Sequence, residues 1–400
     1  MMKYNLLSVL GIVILIGLAW LMSENRKRVN WRLVFWGLGL QFVFAVIILK
    51  TRAGFVFFDL ARRAFDALIG FSDKGAEFVF GKLVNDYGIG AIIAFKVLPL
   101  IVFVASLSSI LYYLGVIQFI VGVMAKIMQK TMKSSGAESL SAALQVFMGI
   151  EASTAIRTYL QGMTRSELFT VMVSFMGTIA SSVMVAYASF GADPGHLLSA
   201  SIMCAPASIV MAKLMVPEME TPETLGNVQF KTERMDKNII DAAANGASIG
   251  LQLALQVGAM LIAFVSLVWL IDSLFGLVHL SFDGIAGYLF SPFAFILGVP
   301  WNEALTVGKL LGTKTVFNEF IAYLQLKELI QAGALSPRSI TIATYALCGF
   351  ANFGSMAIMI GGMGSLAPNK KDTIAALGLK SILAGTFTNL ITAAIAGILV

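Results

Sequence analysis

The residues able to do chemistry are few and concentrated. Glu303, Lys309, Lys314, Asn318 and Glu319 fall within GVPWNEALTVGKLLGTKTVFNEFIAYLQL, residues 298–326, whose flanks are apolar enough to sit inside a membrane. An ionisable group at that depth costs several kcal/mol unless it faces protein or a water-filled cavity, so it marks a pathway or a binding site. Glu319 is the foremost of them. A second acid, Glu151, lies in SLSAALQVFMGIEASTAIRTYLQGM, residues 139–163, beside Gly149 and ahead of Arg157. One straight span would place Glu151 near mid-depth with no obvious partner. A re-entrant hairpin with Gly149–Glu151 at its tip explains the composition better, because irregular backbone is tolerated at membrane depth where it lines a cavity.

The elements that must position these acids are transmembrane helices. The chain is 58% hydrophobic and 12% charged, with a mean hydropathy of +0.86, against roughly 25% charged residues in an ordinary soluble domain. Several runs are long enough to cross a core of about 30 Å as helix, and barrel strands would be shorter and alternating. The fold class is therefore an all-α polytopic membrane protein, with about eight transmembrane helices, two re-entrant helical hairpins and interfacial amphipathic helices. The net charge of +6 calls for no nucleic acid, since Lys and Arg collect in cytoplasmic loops. Cys204 and Cys348 lie in apolar spans without a CxxC or a Cys/His cluster, which gives neither a disulfide framework nor a zinc site. His196 and His279 are solitary and read as loop residues near span ends.

Residues 5–22 and 33–50 read as spans joined by a loop carrying Arg26, Lys27, Arg28 and Arg32. The positive-inside rule puts that loop in the cytoplasm and the N-terminus in the periplasm. The first run lacks a small-x-small cleavage site and another span follows at once, so it reads as a helix and not a signal peptide. In 54–71, Asp59, Arg62, Arg63 and Asp66 recur at i, i+3, i+4, i+7, the pattern of a helix lying in the interface. A span at 89–115 holds Lys96 and Pro99, and an amphipathic piece follows at 117–133. Further spans are expected at 168–190, 197–216, 249–272, 339–363 and 373–400, with a polar loop at 217–237 and a short helix at 236–247.

Two segments of the same unusual kind, a short apolar arm, a Gly-containing break, a buried Glu and a fuller helix, sit in the two halves. That points to a two-fold, inverted repeat with its site between the halves. The domain reading is 1–135 for N-terminal scaffold helices and 136–216 for the first hairpin and its following helices. It continues with 217–284 for the polar loop, short helix and long scaffold helix, and 285–400 for the second hairpin and C-terminal helices.

NEFIAY (318–323), preceded by GVPWNEA (298–304) and followed by CGFANFGS (348–355), closely resembles the concentrative nucleoside transporter family. FVFGKLV (78–84), FKVLPLIVF (95–103), LYYLGV (111–116) and NIIDAAANGASIGLQLAL (238–255) extend the likeness over roughly residues 75–400. The resemblance implies a trimer in which each subunit moves its own substrate domain, with a first hairpin at 139–163 and a second at about 285–311. It implies that Glu319, Asn352 and Ser355 hold the ribose hydroxyls and that Phe350 lies beside sugar and base. The chemistry suits a vicinal diol, since a carboxylate accepts from two donors and an Asn amide both donates and accepts.

The first hairpin departs from the family pattern. Relatives carry G-Q-T/S-E at the tip, where this chain has Gly149-Ile150-Glu151, one residue fewer. Glu151 keeps its place, whereas Ile150 cannot hydrogen-bond a base, so base selectivity must differ, relax or come from elsewhere. By the same resemblance a sodium ion would be held by Gln145, where sodium-coupled relatives have Asn, with backbone near Phe147, the Thr178 hydroxyl and the Ile179 backbone. Hard cations take oxygen ligands; otherwise a proton on a buried Glu would couple transport. The expectation is a cation-coupled symporter, driven by sodium or protons, that imports nucleosides across the inner membrane and uses no other cofactor. No HExxH or paired His suggests an enzyme. A nucleoside-binding sensor that has lost transport, or a symporter for a different nucleoside-like substrate, is the alternative that the altered tip raises.

Overall fold

The computed structural model describes residues 2–85, 93–226, 236–277 and 281–400; His279 lies outside these. Among them every regular element is helical. Helices α1 (Met2–Leu21) and α2 (Trp31–Lys50) are the two expected N-terminal spans. Next comes α3 (Arg52–Phe80), longer than the amphipathic patch that announced it. Its small and inward positions, among them Ala61, Phe65, Ser72 and Ala76, are buried, while Phe55, Leu60, Phe71 and Phe78 are exposed. A π turn at Ile93–Val97 leads into α4 (Leu98–Tyr113), and α5 (Val116–Met132) follows.

The first hairpin is α6 (Gly136–Met148), a tight turn at Gly149–Glu151, then the short α7 (Ala152–Ala155) and α8 (Arg157–Leu160). Gly149 takes φ +61°, and a side chain there would press on Ala180. Glycine is the residue that adopts this left-handed conformation without penalty. The span expected at 168–190 is broken: α9 (Arg165–Gly177) ends, Thr178–Ala180 runs extended, and α10 (Ser181–Ser189) resumes. Then α11 (Pro194–Met215) runs unbroken, and His196 sits in its first turn, 4.9 Å from the Phe58 ring.

The short helix and the span expected at 236–272 are one helix of 38 residues, α12 (Ile239–Gly276). Gly246 and Gly250 do not break it. They let it approach α4, where a side chain would collide with Ser109 and with Ala105 or Val102. Two helices follow, α13 (Phe282–Ile296) and α14 (Trp301–Val316), bent by 119° across Leu297–Pro300, within the range expected for the second hairpin. A further break, at Phe317–Asn318 and beyond that range, precedes α15 (Glu319–Gln331) and carries Glu319. The span expected at 339–363 is likewise two helices, α16 (Pro337–Leu347) and α17 (Phe353–Leu366), separated by Cys348–Asn352. Gly349 and Asn352 thus belong to an unwound segment and not to a continuous helix. The chain closes with α18 (Lys371–Leu399).

Hairpin α6/α7–α8, broken helix α9/α10 and long α11 repeat in order as α14/α15, α16/α17 and α18. Among the described residues seven helices are long and apolar enough to span a bilayer core, eight if the bent pair counts as one. The core is formed by the repeated elements: 94% of the best apolar window of α9–α10 and 89% of that of α11 is buried, against 11% of that of α12. Much of the apolar surface of α12 is left uncovered by the rest of the chain. Packing does not follow chain order. Helix α1 packs on α18 and α2 on α11, both core helices, whereas α4 packs chiefly on α12.

Candidate functional site

The two hairpin tips and the two helix breaks meet. Phe350 N donates to Thr178 O at 3.3 Å, tying the break after α16 to the break after α9. Ser181 Oγ donates to Phe147 O at 2.8 Å, tying the first hairpin to the start of α10. Against this junction lies a cavity of about 410 Å³. Its lining includes Gly149, Glu151, Asn318, Glu319, Phe350 and Ser355, and its opposite wall is α12, with Gln252, Gln256 and Met260. That volume suits a small polar ligand, at the low end of ordinary ligand sites.

Glu319 is 6% exposed. Tyr187 Oη donates to its Oε1 at 2.7 Å and Asn352 Nδ2 to its Oε2 at 2.8 Å. Tyr187 is itself clamped by stacking on Tyr323, ring centres 4.4 Å apart, and Tyr323 Oη donates to Thr344 O at 2.8 Å. Asn352 caps α17 by accepting from Ser355 N at 2.8 Å. It is fully buried behind the cavity and joins the two groups that face it, Glu319 and Ser355. Phe350 leans on Phe175 at 5.4 Å and faces the cavity. The side chain of Ile150 lies outside the described residues; its backbone forms the tip turn.

Glu151 borders this cavity and a second one of about 180 Å³, whose walls include Ser108, Tyr112, Phe147 and Asn245. Among the described residues neither Glu151 nor Glu319 is in an ion pair; the pairs lie elsewhere. Among the described residues Lys314 is in no ion pair with Glu319 or another acid. Its ammonium donates to Ala346 O at 2.8 Å and Asn389 Oδ1 at 2.6 Å.

Gln145, Phe147, Thr178 and Ile179 come together where the first hairpin meets the α9 break. Gln145 Nε2 donates to Ser141 Oγ at 3.0 Å and Val171 O at 3.1 Å, and its buried Oε1 has no partner. Thr178 Oγ1 donates to Ser174 O at 2.8 Å, and Ile179 is fully buried. Sequence reasoning missed Tyr187, Gln252, Gln256 and Asn389. The usable signal for Asn389 was a lone amide inside the last apolar span, where a polar group needs partners.

Two acids at the tips of helix breaks, Glu319 buried and Glu151 half-buried, both facing one cavity in a chain of many apolar spans, are the arrangement of a membrane protein with a polar site between its helices. Comparison with known proteins narrows the class. Residues 196–397 match the family described as Na+ dependent nucleoside transporter C-terminus, residues 10–83 its N-terminus, and residues 94–194 a nucleoside recognition (Gate) family. Solute carrier family 28 member 3 of Mus musculus is 44% identical over 419 residues, which cover 99% of this chain. The chain spans 59% of the length of that relative. Nucleoside permease NupC of Helicobacter pylori is 39% identical, covering 99% of this chain and 98% of that protein. The structure of CNTnw in an inward-facing substrate-bound state superposes with a TM-score of 0.93 at 39% identity, covering 99% and 98% of the two chains. The chain belongs to the concentrative nucleoside transporter family.

Proposed function

We propose that this protein is a cation-coupled symporter that carries nucleosides into the cell across the inner membrane, with its N-terminus in the periplasm and as a homotrimer. The observation that carries the reading is Glu319, a buried carboxylate with two neutral donors, no ion pair among the described residues, and a cavity in front of it. A ribose supplies two vicinal hydroxyls, and a carboxylate is the group that accepts from both. Ser355 and, through Glu319, Asn352 complete the sugar end, and Phe350 offers a flat apolar face to the base. Glu151 borders the same cavity. With no side chain from the missing tip position, the amides of Gln252 and Gln256 become the polar groups opposite the base.

Two acids on the cavity wall, neither in an ion pair among the described residues, favour entry of a cation with the solute. Gln145 Oε1, the Thr178 hydroxyl and the carbonyls of Phe147 and Ile179 are all neutral oxygens, and the unpartnered amide oxygen supports sodium as that cation. A proton carried on a buried Glu is the other route. The packing supports an elevator-type alternating access in which the two repeat halves carry the solute past α12 and α4. The gradient then shifts the populations of outward and inward states.

The test is uptake of labelled uridine, adenosine and inosine into proteoliposomes under an imposed sodium or proton gradient, beside Glu319→Gln. Accumulation that follows one gradient and is lost in the variant is expected. No accumulation of any of the three under either gradient, by folded protein, would overturn the symporter and leave a sensor or an unusual substrate.

A further inference from the structure

Lys314 is among the most deeply buried large side chains of the protein, 1% exposed, yet no acid pairs with it among the described residues. Its ammonium meets Ala346 O and Asn389 Oδ1, and the Asn389 amide in turn donates to Gly177 O and Cys348 O, both at 2.7 Å. Gly177 is the last residue of α9, and Ala346 and Cys348 flank Leu347, the last residue of α16. Both helices stop inside the protein. Their final carbonyls have no partner of their own in the helix, and each C-terminus carries roughly half a negative charge. One end, that of α16, meets the ammonium directly and the other, that of α9, meets it through the Asn389 amide, and two such ends are balanced by about one positive charge.

The position of this lysine in the repeat is informative. Gln145 stands near the end of the first arm of the first hairpin and reaches Val171 O of α9, the broken helix of its own half. Lys314 stands near the end of α14, the arm before the tip that carries Glu319, and reaches Ala346 O of α16, the broken helix of the second half. We propose that Lys314 is a built-in cation: in the second half it does permanently what a bound monovalent ion does at the corresponding place in the first. With Asn389 it holds the ends of α9 and α16 together and so positions the residues in and just past the two breaks, Thr178 and Ile179 on one side, Phe350, Asn352 and Ser355 on the other. Lys314 touches no solute; it is a positioning residue. What those residues bind rests on the symporter reading, but the cluster itself does not.

The full-length protein, purified in detergent, is assayed for uridine affinity and for thermal unfolding. Lys314→Met fills the space without the charge, and its uridine affinity should fall about tenfold or more, the order of a hydrogen-bonded charge. Lys314→Ser leaves room for a small cation. Its affinity and unfolding temperature should recover in methylammonium chloride but not in choline chloride at equal ionic strength, while the parent and Lys314→Met respond to neither. A merely space-filling lysine gives no such response. Uridine binding by Lys314→Met as tight as the parent's, or a Lys314→Ser protein indifferent to methylammonium, overturns the proposal. If the single variants do not fold, Lys314→Met combined with Asn389→Lys decides: three donors on a residue 389 ammonium match the carbonyls of Gly177, Ala346 and Cys348. Recovery of folded, uridine-binding protein supports the proposal and its absence overturns it. A parent that binds no nucleoside sinks the symporter reading alone, because the unfolding temperature of Lys314→Ser in methylammonium still decides this one.

Discussion

Tyr187 and Glu319 show how much of the site is a matter of single atoms. The tyrosine spends its hydroxyl on Glu319 Oε1 and its ring on Tyr323, so the carboxylate is aimed before any solute arrives. Tyr187→Phe keeps the ring and removes the donor. A hydrogen bond to a charged group is worth about 1.5–3 kcal/mol, so KM for the preferred nucleoside should rise by roughly tenfold or more while the protein stays folded, measured as initial uptake rates. Gln145→Leu removes the unpartnered oxygen; uptake driven by a sodium gradient should collapse, whereas the unfolding temperature should change little, since the lost amide bonds are replaced by apolar packing. Glu319 could be read from the sequence because an acid in an apolar setting advertises itself. Tyr187 could not, because a tyrosine among small apolar residues has the same appearance whether it packs or donates.

Helix breaks are the elements that make a site out of spans, and they were unevenly legible. The tip at Gly149 was visible because glycine is a strong local signal. The break at Thr178–Ala180 contains no Gly or Pro and its apolar residues continue a helical pattern, so the sequence reads as one span over 168–190, and the break at Phe317–Asn318 likewise has neither residue to mark it. Gly298 and Pro300 drew the second hairpin toward themselves, whereas Glu319 is set by the later break, where Asn318 starts a new helix by accepting from Ile321 N at 2.9 Å. Gly149→Ala forces a side chain into φ +61° against Ala180. This should cost about 1–2 kcal/mol, seen as a lower unfolding temperature together with weaker nucleoside binding. At the base of the same hairpin Lys213 pairs with Glu138 at 2.8 Å, both nearly inaccessible. Lys213→Met strands that acid, and a loss of about 3–5 kcal/mol is expected, read as poor recovery of folded protein after mild heating.

The whole molecule is held together by ties between parts distant in sequence. Glu24, in the loop between α1 and α2, contacts Arg165 of α9 at 3.0 Å and Lys380 of α18 at 3.1 Å. Partial burial raises its carboxyl, but the hydrogen bonds and charges of Arg165 and Lys380 outweigh that and hold it below its ordinary value. A carboxyl depressed on folding contributes stability above its unfolded pKa and loses it as pH falls through the folded one. Glu24→Gln should therefore lower the unfolding temperature slightly at neutral pH, by less than about 1 kcal/mol because the pair is partly exposed, and the difference should vanish in acid. The Lys314 cluster is a tie of another sort, for it also runs along the time axis of synthesis. Asn389 follows Lys314 by 75 residues, so a ribosome adding about 5–20 residues each second leaves the ammonium without its amide for roughly 4–15 s. During that interval the ammonium of α14 has at most the Ala346 carbonyl, 32 residues on, as its partner, and in a chain released before α18 it never gains the Asn389 amide that ties it to the end of α9.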